Sequence, residues 1–374
     1  MGRRAGLTVD ERELAHRRVS TVGLGAAPPV RFGDAAGVVA WFGAVQSQDY
    51  HPATWAVAQR LGGGLTDQDL DRAFDDGVFL RTHVLRPTWH FVTPADIRWL
   101  LELTAPRVHA LNAYAYRQTG LGADLLTRTA DLIADAVAGG NHLTRAQVAA
   151  MLDGHGIAAV RVRLGYILIH AELERVICSG PLHGKQHTYA LLDERAPGAV
   201  SLDREAALAE LTRRYFTSHG PATAKDIAWW SSLTMSDIAT GLSLAGDALE
   251  SIDVDGATYW FAPGPAVPPV RSPAVHLLQA YDEYIVGYTR SKHLLDIEGL
   301  VAAAPDQLAL PNGVIVVDTQ VAGRWKRTAT ADAVTVHAVL YRPFDEAELR
   351  ALEMAADAHG EFLGRPARVE TSRV

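Results

Sequence analysis

Val78-Phe-Leu-Arg-Thr-His-Val84, then Leu85-Arg-Pro87, then Thr88-Trp-His-Phe-Val92 read as two β-rich runs folded about a proline. β-Branched and aromatic residues crowd both runs, and the proline, which cannot donate to a ladder, belongs at the bend. Helical signals precede this hairpin. Thr8-Val-Asp-Glu11 has the form of a capping box and predicts a helix to about Val19. Asp34 opens a second helix through Trp41, Phe42 and Val45 that ends near Gln46-Ser47-Gln48. Asp49 to Pro52 turns, a third helix starts near Ala53, and Leu65-Thr66 opens a short acidic helix to about Phe74. Several short helices followed by a hairpin is the order of a winged helix.

The pattern recurs further along the chain. Leu143 to Leu152 predicts a helix capped by Thr144, and Asp153-Gly-His-Gly156 breaks it. An amphipathic stretch runs from Ile157 to Ile177, and Pro181 to Leu192 reads as a hairpin tip and strand. A third copy starts with a helix from Ala206 to Phe216. Thr223 then caps Ala224 to Ser231, and Thr234 caps another helix. Ile252 to Asp255 and Thr258 to Phe261, joined at Gly256, make a short hairpin. A proline-rich linker, Gly264 to Pro273, leads into strand-like runs at 275–278, 314–318, 321–327 and 334–340. A helix over 345–359 and a strand near 367–370 close the chain. The expected fold is therefore α+β. Three tandem winged-helix motifs (8–120, 121–200 and 201–263) precede a small C-terminal β-barrel-like domain (274–374).

Composition narrows the function classes. The chain has 374 residues, enough for several modules and a core that needs no staple. Its single cysteine, Cys178, forbids an internal disulfide and suits a reducing compartment. Met-Gly-Arg-Arg4 is followed by Asp10, Glu11 and Glu13 rather than an apolar run, so no signal peptide is expected, and with no stretch of eighteen apolar residues no membrane span is expected either. The expected location is the cytoplasm, on the nucleoid when bound to DNA. Formal net charge is −8, which by itself argues against a polyanionic partner. The charge is uneven, however. Five arginines (81, 86, 98, 107, 117) face only Asp96 and Glu102 between residues 81 and 120. Lysine occurs only at 185, 225, 292 and 326, so the basic surface is mostly arginine, which forks onto phosphates and guanine edges.

Four motifs then occur in order. They are Gln46-Ser-Gln48, Leu85-Arg-Pro-Thr-Trp-His90, Gly184-Lys-Gln-His-Thr-Tyr189 and Ala280-Tyr-Asp-Glu-Tyr-Ile-Val-Gly-Tyr288. Together they resemble the AlkZ/YcaQ family of winged-helix DNA glycosylases. That resemblance implies tandem winged helices with a C-terminal β-barrel, excision of N7-alkylated guanine, and unhooking of interstrand crosslinks. The family's catalytic motif, Gln-x-Gln or Gln-x-Asp, falls on Gln46 and Gln48. The glutamine form resembles the AlkZ branch, which in antibiotic producers protects the host from its own alkylating product. The middle residue of that branch is usually apolar, and here it is Ser47.

A glutamine amide has no useful pKa and cannot be a general base. N7-alkylated guanine is already cationic, so it leaves as a neutral base and needs little acid catalysis. What remains is to place a water and to stabilise an oxocarbenium-like sugar, and oriented amide dipoles do both. By spacing alone, Gln-x-Gln reads as a polar turn. Arg81, Arg86 and His90 on the first hairpin, Arg161 and Arg163 in the amphipathic stretch, and Lys185 and His187 at the second wing tip are candidate DNA-binding residues. His183 and His187 have zinc-pair spacing, but Gly184 between them reads as loop, so no metal and no cofactor is expected. Asp282 and Glu283, adjacent on a strand, would face opposite ways and read as structural, as do Trp89, Tyr281, Tyr284 and Tyr288. The expected partner is double-stranded DNA carrying an alkylated purine, bound by a monomer. The competing reading is a non-catalytic winged-helix protein, either a transcription regulator or one that sequesters damaged DNA or an antibiotic.

Overall fold

A computed structural model describes residues 10–25, 30–264, 272–301 and 313–373. The first segment holds helices α1 (Glu11–Thr21) and α2 (Ala35–Phe42), strand β1 (Val45–Gln46), helices α3 (Tyr50–Arg60) and α4 (Asp67–Asp75), and strands β2 (Leu80–His83) and β3 (Trp89–Val92). Thr8 lies outside the described residues. Asp10 caps α1, its carboxylate accepting the Glu13 N–H at 2.8 Å. Thr66 and Asp69 form the capping box of α4. One boundary departs from the expectation. Gly43, at φ 79°, ends α2 immediately after Phe42, so Gln46 lies on a strand and not at a helix end. The sheet order is β1-β3-β2, all antiparallel, with Gln46 opposite His90 and Arg81 opposite Phe91.

Two helices that no sequence motif announces come next, α5 (Ile97–Gln118) and α6 (Ala123–Val137). A second helix-and-sheet unit follows with β4 (Leu143–Thr144), α7 (Arg145–Gly154), α8 (Arg161–Leu173), β5 (Ile177–Ser179) and β6 (Thr188–Leu191), in sheet order β4-β6-β5. Thr144 caps α7 through a capping box with Gln147. The amphipathic stretch from Ile157 yields a shorter helix, α8, because regular helix starts only after Arg161 takes a φ of 48°. A short turn, α9 (Leu192–Arg195), leads to α10 (Arg204–Ser218), α11 (Ala224–Ser231), α12 (Met235–Ala245) and the hairpin β7 (Glu250–Val254) and β8 (Ala257–Phe261). Asp255 and Gly256 both have positive φ, the geometry that a two-residue hairpin turn demands. Thr223 and Thr234 cap α11 and α12.

Most of the expected proline-rich linker, residues 265–271, lies outside the described residues. Beyond it come β9 (Val275–Leu278), α13 (Glu283–Val286), β10 (Gly313–Val317), β11 (Gln320–Ala329), β12 (Val334–Leu340), α14 (Glu346–Phe362) and β13 (Ala367–Arg373). These strands form one sheet in the order β13-β12-β11-β10-β9. The barrel-like expectation is corrected here. α14 crosses over to return β13 parallel to β12, and among the described residues no pairing joins β13 to β9, so the sheet stays open. Leu352 and Ala356 of α14 join Leu277, Ile315 and Val336 in the core that covers it.

The largest core ignores the segment boundaries. Val38, Leu80, Phe91 and Leu100 pack in one cluster with Leu208, Tyr215 and Trp230, and with Leu278 and Tyr284. A separate cluster gathers α6, α7 and α8 around Ile133, Leu152 and Leu168. No described helix is long and apolar enough to cross a membrane.

Candidate active site

Gln46 is held at its N–H, its carbonyl and its side-chain oxygen. Its N–H donates to Glu283 Oε1 at 2.7 Å, and its carbonyl accepts from Gln279 Nε2 at 3.2 Å. Arg86 Nη2 donates to Gln46 Oε1 at 2.6 Å. A guanidinium only donates, so this contact decides which end of the amide faces Arg86. Only 5% of Gln46 is exposed. Ser47 extends the ladder by one step, its N–H donating to Trp89 O at 2.8 Å. Gln48 then leaves the sheet with its side chain exposed.

Arg81 clamps the backbone of the same motif. Its Nε and Nη2 donate to Ser47 O at 3.1 and 2.8 Å, and Nη2 also donates to Gln48 O at 3.1 Å. The guanidinium lies over the Trp89 ring, 4.4 Å from its centroid. Burial brings Arg81 down to about 10, and burial also lowers Arg86 against the opposing pull of Glu283. Arg81 is thus engaged by the backbone of the candidate catalytic motif and is only 6% exposed.

His90, another candidate DNA contact on this hairpin, lies deeper. It is fully buried, and burial together with the nearby Arg86 charge depresses its imidazole to about 3. Its Nδ1–H donates to Thr88 O at 3.0 Å, which fixes the tautomer and leaves Nε2 an acceptor with no partner. On the second unit, Lys185 and Arg161 are exposed. Arg163 is half-buried with Nη1 donating to Ala158 O at 2.9 Å. Half-buried His187 sits edge-on to Tyr50, ring centroids 4.8 Å apart, and burial lowers it to about 4. A cavity of about 360 Å³ opens between the two hairpins, walled by Arg81, Trp89, Ser179, His187 and Tyr189 among others.

The fourth motif supplies the floor. Asp282 and Glu283 do not alternate along a strand, because Asp282 is the N-cap of α13 and accepts the Tyr284 N–H at 2.9 Å. Arg60 of α3 grips Asp282 with two bonds, at 3.0 and 2.8 Å, and both side chains are buried. Glu283 Oε2 accepts from Trp230 Nε1 at 2.9 Å and lies 3.1 Å from His219 Nε2. Burial pushes the Glu283 carboxyl up, but His219, the Gln46 N–H and Arg86 outweigh it and bring it down to about 2. The carboxylate is therefore charged at neutral pH and tied to the candidate catalytic backbone.

Four features lay beyond sequence reasoning. Glu283 and Gln279 reach Gln46 across more than 200 residues, and Arg86 clamps its amide. The fourth, Trp229 on α11, is 53% exposed, with its ring centroid 6.0 Å from the Arg86 guanidinium carbon. For metals, His51, Asp67 and Asp71 have ligand atoms within 4.8 Å of one another. Within this group His51 Nδ1 lies 3.3 Å from Asp67, Thr54 Oγ1 donates to Asp67 at 3.2 Å, and Tyr50 OH donates to Asp71 at 3.0 Å.

Comparison with known proteins bears on this constellation. A family model described as "DNA glycosylase AlkZ-like" matches residues 39–362, a span that contains all four motifs. No curated protein matches the sequence. Among solved structures, the chain is similar to the Streptomyces sahachiroi DNA glycosylase AlkZ, with a TM-score of 0.80 at 20% identity, over 98% of this chain and 100% of that one. At that identity the match speaks for the fold.

Proposed function

The chain belongs to the DNA glycosylase AlkZ-like family, an enzyme family of alkylation-damage repair, and from that premise we propose that it excises bulky or crosslinked N7-alkylated purines from duplex DNA. Gln46 and Gln48 are its catalytic residues. Water attacks the anomeric carbon of the sugar, and the bond from that carbon to the purine nitrogen breaks. The bond's electron pair leaves with the base and neutralises the charge the alkyl group had placed on it. The water's spare proton passes to solvent. No group with a neutral pKa is needed, and His90, depressed to about 3, would be a poor base.

The observation that carries this reading is the Arg86 clamp on Gln46 beside an exposed Gln48 whose backbone Arg81 holds. Preorganised dipoles stabilise a transition state without reorganising, and losing one costs roughly 10²- to 10³-fold in rate. The two amides divide the work. Gln48 faces the sugar and its developing positive charge, and Gln46, locked in one orientation, places the water. Winged-helix packing of the first three segments against DNA, with Lys185 and Arg161 on phosphates, completes the reading.

The test is a duplex carrying one N7-methylguanine, incubated with protein and then treated with mild base. Strand cleavage at the lesion is expected, and the Gln46→Ala/Gln48→Ala variant should lose it. Efficient excision of an uncharged lesion such as uracil would overturn the mechanism. Binding without cleavage on this and a crosslinked duplex would overturn the catalytic assignment.

A further inference from the structure

A single exposed tryptophan on a surface is ordinary. Trp229 is not placed ordinarily. Its neighbour Trp230 is fully buried and donates to Glu283, the carboxylate that also holds the Gln46 N–H. At the end of the same helix, Ser232 O accepts from Arg107 Nε of α5 at 3.1 Å. Two anchors therefore fix α11 against the candidate site and leave the indole of Trp229 open beside Arg86. The Arg86 Nε in that neighbourhood is buried and without a partner, so the polar groups on this side are not satisfied by the protein alone.

We propose that Trp229 is the aromatic face against which the cationic alkylated purine rests. This inference builds on the glycosylase reading and deepens it. Indole is the strongest π partner for a cation among the side chains, and N7-alkylation gives the purine a full positive charge. The charge of Arg86 is partly offset by the Glu283 carboxylate, and its guanidinium is engaged by the Gln46 oxygen. Recognition of positive charge is then separate from catalysis. Trp229 selects the base, and the two glutamines act at the sugar.

The experiment compares three duplexes that are not cleaved: one with 2′-fluorinated 7-methylguanine, which keeps the charge, one with its uncharged 7-deaza isostere, and one undamaged. Wild type, Trp229→Phe and Trp229→Ala are titrated with each. Wild type should bind the cationic lesion about 5-fold or more tighter than the isostere, Trp229→Phe should keep part of that margin, and Trp229→Ala should lose it. Emission attributable to Trp229, taken as the difference between wild type and Trp229→Phe, should be quenched by the cationic duplex and not by the undamaged one. An unchanged margin in Trp229→Ala, or equal quenching by damaged and undamaged DNA, overturns the proposal. Excision of ordinary 7-methylguanine is followed in parallel. Its absence in wild type would count against the glycosylase reading, while the binding margin still decides the role of Trp229.

Discussion

Gln46 and Gln48 stand two residues apart and live in different environments, and that difference sorts their expected phenotypes. Gln48 is exposed, so Gln48→Ala should lower single-turnover excision by roughly 10²-fold and leave the urea midpoint unmoved. Gln46→Ala should lower excision as much and also destabilise the fold by about 1–3 kcal/mol, because it strands the Arg86 guanidinium without its acceptor. Equal stability losses in the two variants would contradict the division of labour. Ser47, the residue that departs from the usual apolar middle position, is fully buried with an unpartnered hydroxyl. It faces the interior, as an apolar residue there would.

Among the elements, α13 shows how a four-residue helix can matter. Its N-cap, Asp282, is gripped by Arg60 of α3, so the C-terminal segment is fastened to the first one by a buried fork-to-carboxylate pair. Asp282→Ala should cost about 3–5 kcal/mol by urea unfolding, since it leaves a buried guanidinium uncompensated. A loss under 1 kcal/mol would mean that α13 is held by its apolar contacts alone. The same elements show what the sequence could disclose. Caps were legible at Thr66, Thr144, Thr223 and Thr234, where threonine precedes an acidic or amide residue by three, but not at α1, whose cap is Asp10. α5 and α6 were not, because Asp96 and Gly122 make no side-chain cap bond and Pro106 sits inside α5. The β1 strand was hidden because two residues are too few for any periodicity, and only Gly43 marks the end of the helix before it. Gln46 and Gln48 could be singled out by motif. The bonds that orient Gln46 could not, since Arg86, Glu283 and Gln279 meet it only through the tertiary fold.

Taken whole, the molecule keeps several histidines neutral in its interior. His90, His276 and His359 are brought down from 6.5 to about 3, 4 and 3, chiefly by burial. As pH falls below 6.5 the unfolded chain takes up those protons before the folded one does. The unfolded state then binds more protons, and stability declines from pH 6.5 toward 3. Glu283, lowered from 4.5 to about 2, adds to the same loss below pH 4.5, and Glu172, raised by burial, opposes it. Urea midpoints at pH 7.5, 6.5 and 5.5 should therefore fall in that order. A flat profile would show that these imidazoles take up protons without unfolding.

One hydrogen bond, from the Gln46 N–H to Glu283, has a consequence for how the enzyme comes into being. It spans 237 positions of the chain. At roughly 5–20 residues per second, a ribosome needs roughly 10 to 50 seconds to travel from one end of that bond to the other. Throughout that interval the nascent chain carries Gln46 without the carboxylate that holds its N–H. The bond that holds the Gln46 strand in place therefore cannot form until the segment carrying Glu283 has been made, so this part of the candidate site is assembled late in translation.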